Sequence, residues 1–115
     1  MRRGEVFWAN LVPRSGSEQR GRRPVIVVSH DGFNQTVGWR SVIVVPVSTS
    51  EGQARRGPTA VPLSRGAGGL RKPGVALCDR VTTLDRGKLS ERLGMLSQDV
   101  LAQVAEGLKA ALDLE

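Results

Sequence analysis

The chain has 115 residues and a net charge of +6, with 17 Lys and Arg against 11 Asp and Glu. This length predicts one domain, residues 1–115, with a modest hydrophobic core. A single Cys excludes an internal disulfide, and one His with one Cys excludes a structural zinc site within the chain, so we expect no metal and no cofactor. No apolar stretch reaches membrane-spanning length, which predicts a cytoplasmic protein without a membrane partner.

The positive charge is unevenly distributed along the chain. Residues 1–80 carry 13 Lys and Arg against 5 Asp and Glu, whereas residues 81–115 carry 4 against 6. A GC-rich genome would explain the excess of Arg over Lys, but it would not explain this asymmetry. The basic first part therefore indicates a polyanionic partner, such as nucleic acid or an acidic protein segment.

Short runs rich in β-branched residues predict strands along most of the chain. The predicted strands are residues 4–11, 24–29, 41–47, 58–63, 74–81 and 88–96. The second and third runs are continuously apolar, so we expect both of their faces to be covered. Gly, Pro and Asp separate the runs at intervals typical of a small barrel or sandwich. The Gly-rich segment 65–74 is interpreted as a flexible basic loop.

A helix is predicted at the end of the chain. Ser97 is a good N-cap, and Leu101, Val104, Leu108 and Leu112 recur at steps of three or four residues. We expect this apolar face to pack against the strands. The fold class is therefore mainly β with a C-terminal α-helix.

The segment GSEQRGRRPVIVVS, residues 16–29, is the best candidate for chemistry. Pro24 restricts the backbone of Arg23, which places a guanidinium on a stiff scaffold, and Glu18 adds a carboxylate nearby in sequence. RNA can be cut by its own 2′-hydroxyl, and the protein then needs a proton acceptor, a proton donor and positive charge at the phosphate. Ser48, after the third strand, adds a hydroxyl. Glu18 could act as a base or could only form a salt bridge with a neighbouring Arg.

Further candidates lie outside this segment, and each has a purely structural alternative. Trp39 and Arg40 could stack on a base and hold a phosphate, or Trp39 could be a core residue. Arg55 and Arg56 belong to charge-rich loops that could bind RNA or only favour solubility. The chain has no P-loop, no GxGxxG and no GxSxG motif, so most familiar enzyme classes are excluded.

The whole chain resembles the MazF/PemK family of toxin endoribonucleases. The resemblance is carried by GEVFWANLVPRSGSEQRGRRPVIVVS, then by VIVVPVSTS, and more weakly by GVALCDRVTTLDRGKLSERLGMLS. It implies a small SH3-like β-barrel of the CcdB/PemK type that forms a homodimer. It also implies metal-independent cleavage of single-stranded RNA, and inhibition by a cognate antitoxin with an acidic segment.

The resemblance also implies roles for single residues. The family's catalytic arginine falls on Arg23, its loop glutamate on Glu18 and its catalytic threonine on Ser48, where serine departs from the pattern. Thr49 follows directly, and a different register would make it the working hydroxyl. Arg80 falls where family members often place a polar residue that contacts RNA. The other candidate RNA-binding residues are Gln19, Arg20, Thr49, Trp39, Arg40, Arg55 and Arg56.

Two other functions are also compatible with the sequence. A non-catalytic RNA-binding barrel would keep the basic loops without needing Glu18, Arg23 and Ser48 together. A gyrase-binding toxin of the CcdB type would share the fold, but those proteins depend on a C-terminal Trp-Gly-Ile, whereas this chain ends in ALDLE.

Overall fold

The computed structural model describes residues 1–11, 21–49 and 57–115. The strands are β1 (Glu5–Leu11), β2 (Gly21–Val27), β3 (Ser41–Ser48), β4 (Ala60–Leu63), β5 (Gly74–Leu77), β6 (Thr82–Asp85) and β7 (Leu89–Met95). The helices are α1 (Asp31–Asn34) and α2 (Gln98–Leu112). The predicted fold class, mainly β with a C-terminal helix, is confirmed.

The strands form a single sheet with an open seam. The hydrogen-bonded order is β4-β5-β3-β2-β1-β7, and β6 pairs with β3 beside this path. No pairing among the described residues joins β4 to β7, so the ladder does not close. The architecture is a small β-barrel-like fold, in agreement with the predicted barrel class.

The second strand starts earlier than predicted. Its predicted range is 24–29, whereas β2 begins at Gly21. The charges of Arg22 and Arg23 suggest a loop, but their backbones pair with Asn10 and Ala9 of β1. Backbone pairing tolerates charged side chains where one face of the ladder meets solvent, so polarity misplaces this boundary.

Two short elements are not predicted by the sequence. β6 pairs with Ser41 to Val44 of β3. It has four residues and only one of them, Leu84, is apolar, so the sequence shows no apolar periodicity that would predict this strand. α1 is a single turn between the second and third predicted strands. His30 is its N-cap, and its Nδ1 accepts the Gly32 N–H at 2.8 Å, so this His has a structural role in the turn.

The core lies on both faces of β2 and β3. Ile26 packs with Val45 and Val47 on one face, and Val25 packs with Val44 on the other. These side chains are essentially inaccessible to solvent. The two continuously apolar runs are therefore covered on both sides, as predicted, and each buried side chain contributes about 1.5–3 kcal/mol to stability.

Helix α2 packs closely on the sheet through a glycine. The Ser97 side chain accepts the Val100 N–H, which confirms the predicted N-cap. Gly107 is buried, and a Cβ at this position would lie 2.7 Å from Cys78 Sγ. Leu112 is 54% exposed, so its predicted place on the packed face is wrong. Small residues, rather than a continuous leucine stripe, bring the end of the helix close to the sheet.

Replacing Gly107 by Ala tests this close approach. Ala favours a helix over Gly by about 1 kcal/mol, but the added methyl group meets Cys78 and costs about 1–3 kcal/mol in overpacking. We expect a net loss of stability in urea unfolding. Gln103→Ala, at an exposed position of the same helix, is the control and should change stability little. A Gly107→Ala protein more stable than wild type would contradict the packing described.

The buried thiol of Cys78 predicts a dependence of stability on pH. Burial, and to a smaller extent the charge of Asp79, raises the pKa of Cys78 from 9.0 to about 11. Between these values the unfolded chain has released a proton that the native chain retains, so the free energy of unfolding falls as pH rises. Urea unfolding between about pH 8 and about pH 10 should show a smaller decline in Cys78→Ala than in wild type. Equal declines would show that Cys78 is not the group responsible.

Candidate nucleic-acid interface

A cleft of about 250 Å³ opens where the start of β2, the end of β3, the Gly-rich segment and β7 meet. Its lining residues are Trp8, Arg22, Arg23, Pro24, Val47, Thr49, Leu70, Arg71, Lys72 and Leu93. Four of these are cationic and none is acidic, while Pro24, Val47 and Leu70 are buried and form an apolar base. The cleft therefore combines positive charge with a surface that excludes water, an arrangement suited to a polyanion that carries flat apolar groups.

Arg23 lies at the cleft on a rigid strand. Its backbone pairs with Ala9, and the next residue, Pro24, pairs with Trp8. β3 joins β2 only from Val25 onward, so among the described strands the first half of β2 pairs with β1 alone. Arg23 is half-buried. The backbone of Arg23 is therefore part of a paired strand, and it lies within that strand rather than at its entrance.

The two hydroxyl candidates at the end of β3 differ in exposure. Ser48 is 2% exposed and pairs with Val75 of β5. Thr49 is exposed and lines the cleft together with Arg23. Of these two residues, Thr49 is therefore the one that is accessible to a ligand in the cleft.

The Gly-rich segment is closely packed, which differs from the predicted flexible loop. Gly68 and Gly69 have positive φ, and a Cβ at Gly69 would lie 2.1 Å from the Leu93 carbonyl oxygen of β7. This contact of backbone with backbone seats Leu70 in the core and places Arg71 and Lys72 at the cleft. The consecutive glycines are the sequence signal of such a close approach.

Trp8, Arg22 and Glu91 form a small cluster at the cleft. The Arg22 guanidinium lies 4.3 Å from the centroid of the Trp8 ring and 3.8 Å from Glu91 Oε2. The alternation of Phe7 and Trp8 predicts that one of them is core, but both are only partly buried. Phe7 packs against the core, whereas Trp8 faces the cleft.

Three of the residues predicted to contact RNA do not line this cleft, namely Trp39, Arg40 and Arg80. Trp39 stacks on Phe33 with ring centroids 5.2 Å apart, and Arg40 Nη2 is 2.9 Å from Asp85 Oδ1. The pKa of Asp85 is lowered, first by the Gly87 N–H and then by Arg40. Trp39 and Arg40 precede β3, which is about 23 Å long from its first to its last Cα and lies between them and Thr49.

Arg80 also lies outside the cleft lining, in the turn after β5, with its Nε 3.8 Å from Asp79. The predicted residues Glu18, Gln19, Arg20, Arg55 and Arg56 lie outside the described residues.

Within residues 1–11, 21–49 and 57–115, no three His, Cys, Asp or Glu side chains gather in a metal-binding arrangement. The same ranges contain no helix with the length and apolar character needed to span a bilayer.

Comparisons with known proteins agree with the fold. The family model described as PemK-like, MazF-like toxin of type II toxin-antitoxin system matches residues 2–112. Endoribonuclease MazF of Staphylococcus saprophyticus is 33% identical over 114 residues, which is 99% of this chain and 92% of that protein. The structure of MazF from Deinococcus radiodurans has a TM-score of 0.78 at 34% identity, with 96% of this chain and 94% of that chain covered.

A third similar protein is an endoribonuclease from a mycobacterial species, solved in complex with its cognate antitoxin. It has a TM-score of 0.73 at 25% identity, with 98% of this chain and 93% of that chain covered. Because the family match and the relatives both extend over nearly the whole sequence, this chain belongs to the PemK-like, MazF-like toxin family of type II toxin–antitoxin systems.

Proposed function

We propose that this chain is an endoribonuclease toxin that cleaves single-stranded RNA, including mRNA, at the cleft beside Arg23. The observation that carries the proposal is the convergence of four cationic side chains and the Thr49 hydroxyl on one cleft with an apolar base. The relative from Staphylococcus saprophyticus is named an endoribonuclease, which supports the same reaction class. The toxin domain spans residues 1–115.

The reaction uses a nucleophile that the RNA itself provides. The 2′-oxygen attacks the adjacent phosphorus, a new P–O bond forms, and the bond to the 5′-oxygen of the next nucleotide breaks. The 2′-hydroxyl proton passes to a base and the leaving 5′-oxygen gains a proton, so the products are a 2′,3′-cyclic phosphate and a 5′-hydroxyl. Negative charge rises on the phosphate oxygens in the transition state, where fixed positive charge lowers the barrier.

Arg23 is the residue that stabilises this charge. Its guanidinium stays protonated and can donate two parallel hydrogen bonds to a phosphate. Its backbone lies on a paired strand, so no backbone ordering is needed there when RNA binds. Glu18 is the candidate proton acceptor. Ser48 provides the hydroxyl that positions the phosphate, and Thr49 binds the RNA, so Ser48 must become accessible when RNA enters.

The inhibitor is a cognate antitoxin with an acidic segment that competes with RNA for the cleft. A mycobacterial endoribonuclease has been solved with its cognate antitoxin, which supports a partner of this kind. The toxin acts as a homodimer in the cytoplasm. Two copies would join their basic surfaces into a longer groove, in which contacts from Trp39, Arg40 and Arg80 could extend the RNA path.

Substitution of Arg23 tests the catalytic proposal. Wild type, in EDTA, should cut a long single-stranded RNA at defined sites, and Arg23→Ala should be slower by about 10²–10³-fold because one charge-stabilising donor is lost. The readout is gel analysis of end-labelled RNA, with a copy deoxy-substituted at the cleaved position as a control for 2′-hydroxyl attack.

Lys109→Ala is the matched control for loss of one positive charge, because Lys109 lies on α2 beside Glu106, away from the cleft lining. It should keep the wild-type rate. RNA that is bound but never cut would instead assign the chain to the non-catalytic RNA-binding class. Full activity of Arg23→Ala would remove Arg23 from the mechanism.

The two hydroxyls are separated by steady-state kinetics. We expect Ser48→Ala to lower kcat with little change in KM, because the lost contact acts in the transition state, and Thr49→Ala mainly to raise KM. Thermal unfolding of both variants checks that the burial of Ser48 does not turn the substitution into a folding defect. A loss of kcat in Thr49→Ala alone would move the catalytic hydroxyl to Thr49, in keeping with its exposure.

A further inference from the structure

Trp8 is the one aromatic residue of the chain at the cleft, and a cation covers it. The chain has two Trp, two Phe and no Tyr, and of these only Trp8 lines the cleft. The Arg22 guanidinium lies 4.3 Å from its ring centroid. On the register of β1 and β2, Trp8 pairs with Pro24 and Arg22 pairs with Asn10, so Trp8 and Arg22 share one face of the ladder.

We infer that the Trp8 indole is a nucleobase-stacking site that Arg22 occupies until RNA enters, after which Arg22 turns to an RNA phosphate. The inference rests on the proposed RNA cleavage and adds a binding subsite and an exchange step to it. A planar guanidinium and a planar base use the same face of an indole, so the two compete for one position.

The contacts that hold Arg22 over Trp8 are of a kind that RNA can replace. The Arg22 side chain is 53% exposed and that of Glu91 is 65% exposed, and their closest atoms are 3.8 Å apart. Exposed ion pairs and exposed cation–π contacts are weak. A base stacked on Trp8 together with a phosphate bound to Arg22 replaces both contacts with stronger ones.

Glu91 opposes RNA binding in this arrangement. Its carboxylate pairs with the guanidinium that a phosphate would take, and it adds negative charge near a cationic cleft. Arg22 and Glu91 together therefore keep Trp8 covered in the free protein. This cover makes entry of RNA selective for a ligand that offers a base and a phosphate at once, rather than for an anion alone.

The exchange can be observed on Trp8 directly. Protein labelled with 5-fluorotryptophan gives two ¹⁹F resonances, which Trp8→Phe assigns to Trp8 and Trp39. The probes are single-stranded oligodeoxynucleotides of several sequences, which cannot be cut, and an abasic phosphodiester oligomer of equal length. We expect the oligodeoxynucleotides to shift the Trp8 resonance and the abasic oligomer to leave it nearly unchanged. Equal shifts with both probes would overturn base stacking on Trp8.

Glu91→Gln tests the competition for Arg22. We expect it to tighten oligodeoxynucleotide binding about three- to tenfold at low salt, because the guanidinium is released to the phosphate. Glu106→Gln is the matched control, since Glu106 is similarly exposed and pairs with Lys109 on α2. It removes the same charge without touching Arg22, so its effect should be smaller. An equal effect of both variants, or weaker binding in Glu91→Gln, would overturn the exchange.

The outcomes separate this inference from the proposed function. If wild type cuts RNA and binds the oligodeoxynucleotides without any response of Trp8, the stacking inference alone fails. If wild type neither binds nor cuts single-stranded nucleic acid, the proposed function fails. Trp8→Leu and Trp8→Phe add a further check, because Phe keeps an aromatic face and should bind about tenfold more tightly than Leu.

Discussion

The structure depends on the unequal pairing of the two edges of β2. β1 pairs with β2 from Gly21 to Ile26, whereas β3 pairs with it only from Val25 to Val27. The residue before this shared stretch is Pro24, which has no backbone N–H to donate to a second ladder. The apolar half of β2 is thus the centre of the core, and its charged half forms one wall of the cleft.

A second constraint brings further positive charge to the cleft. The backbone around Gly68 and Gly69 lies against β7 at distances that no side chain would allow, and Leu70 is anchored in the core. Arg71 and Lys72 come directly after this anchored residue and line the cleft. Cations from both segments line one cleft, and each phosphate that they neutralise would release counterions, so binding of a polyanion in this cleft should weaken steeply with salt.

The charges at the other end of β3 are arranged differently. Arg40 is paired with Asp85, whose carboxylate also accepts the Gly87 N–H at 2.7 Å. Trp39 is stacked on Phe33. The described lining of the cleft, in contrast, has no acidic residue, and Glu91, just outside that lining, pairs with Arg22. Positive charge is therefore concentrated at this end of β3, whereas the charge of Arg40 at the other end is balanced by Asp85.

The sequence by itself determined the fold class, the C-terminal helix with its Ser97 cap and the family, because these follow from local patterns and from long motif matches. It also pointed to Arg23, through the proline that follows it. Only the tertiary structure decided that Arg22 and Arg23 lie on a strand, that the Gly-rich segment is packed, and that Thr49 is exposed while Ser48 is buried. It also brought Trp8, Arg71 and Lys72 to one cleft with Arg23. These features depend on which strands pair and on which distant backbone the glycines approach, and no local pattern of side chains encodes the partner.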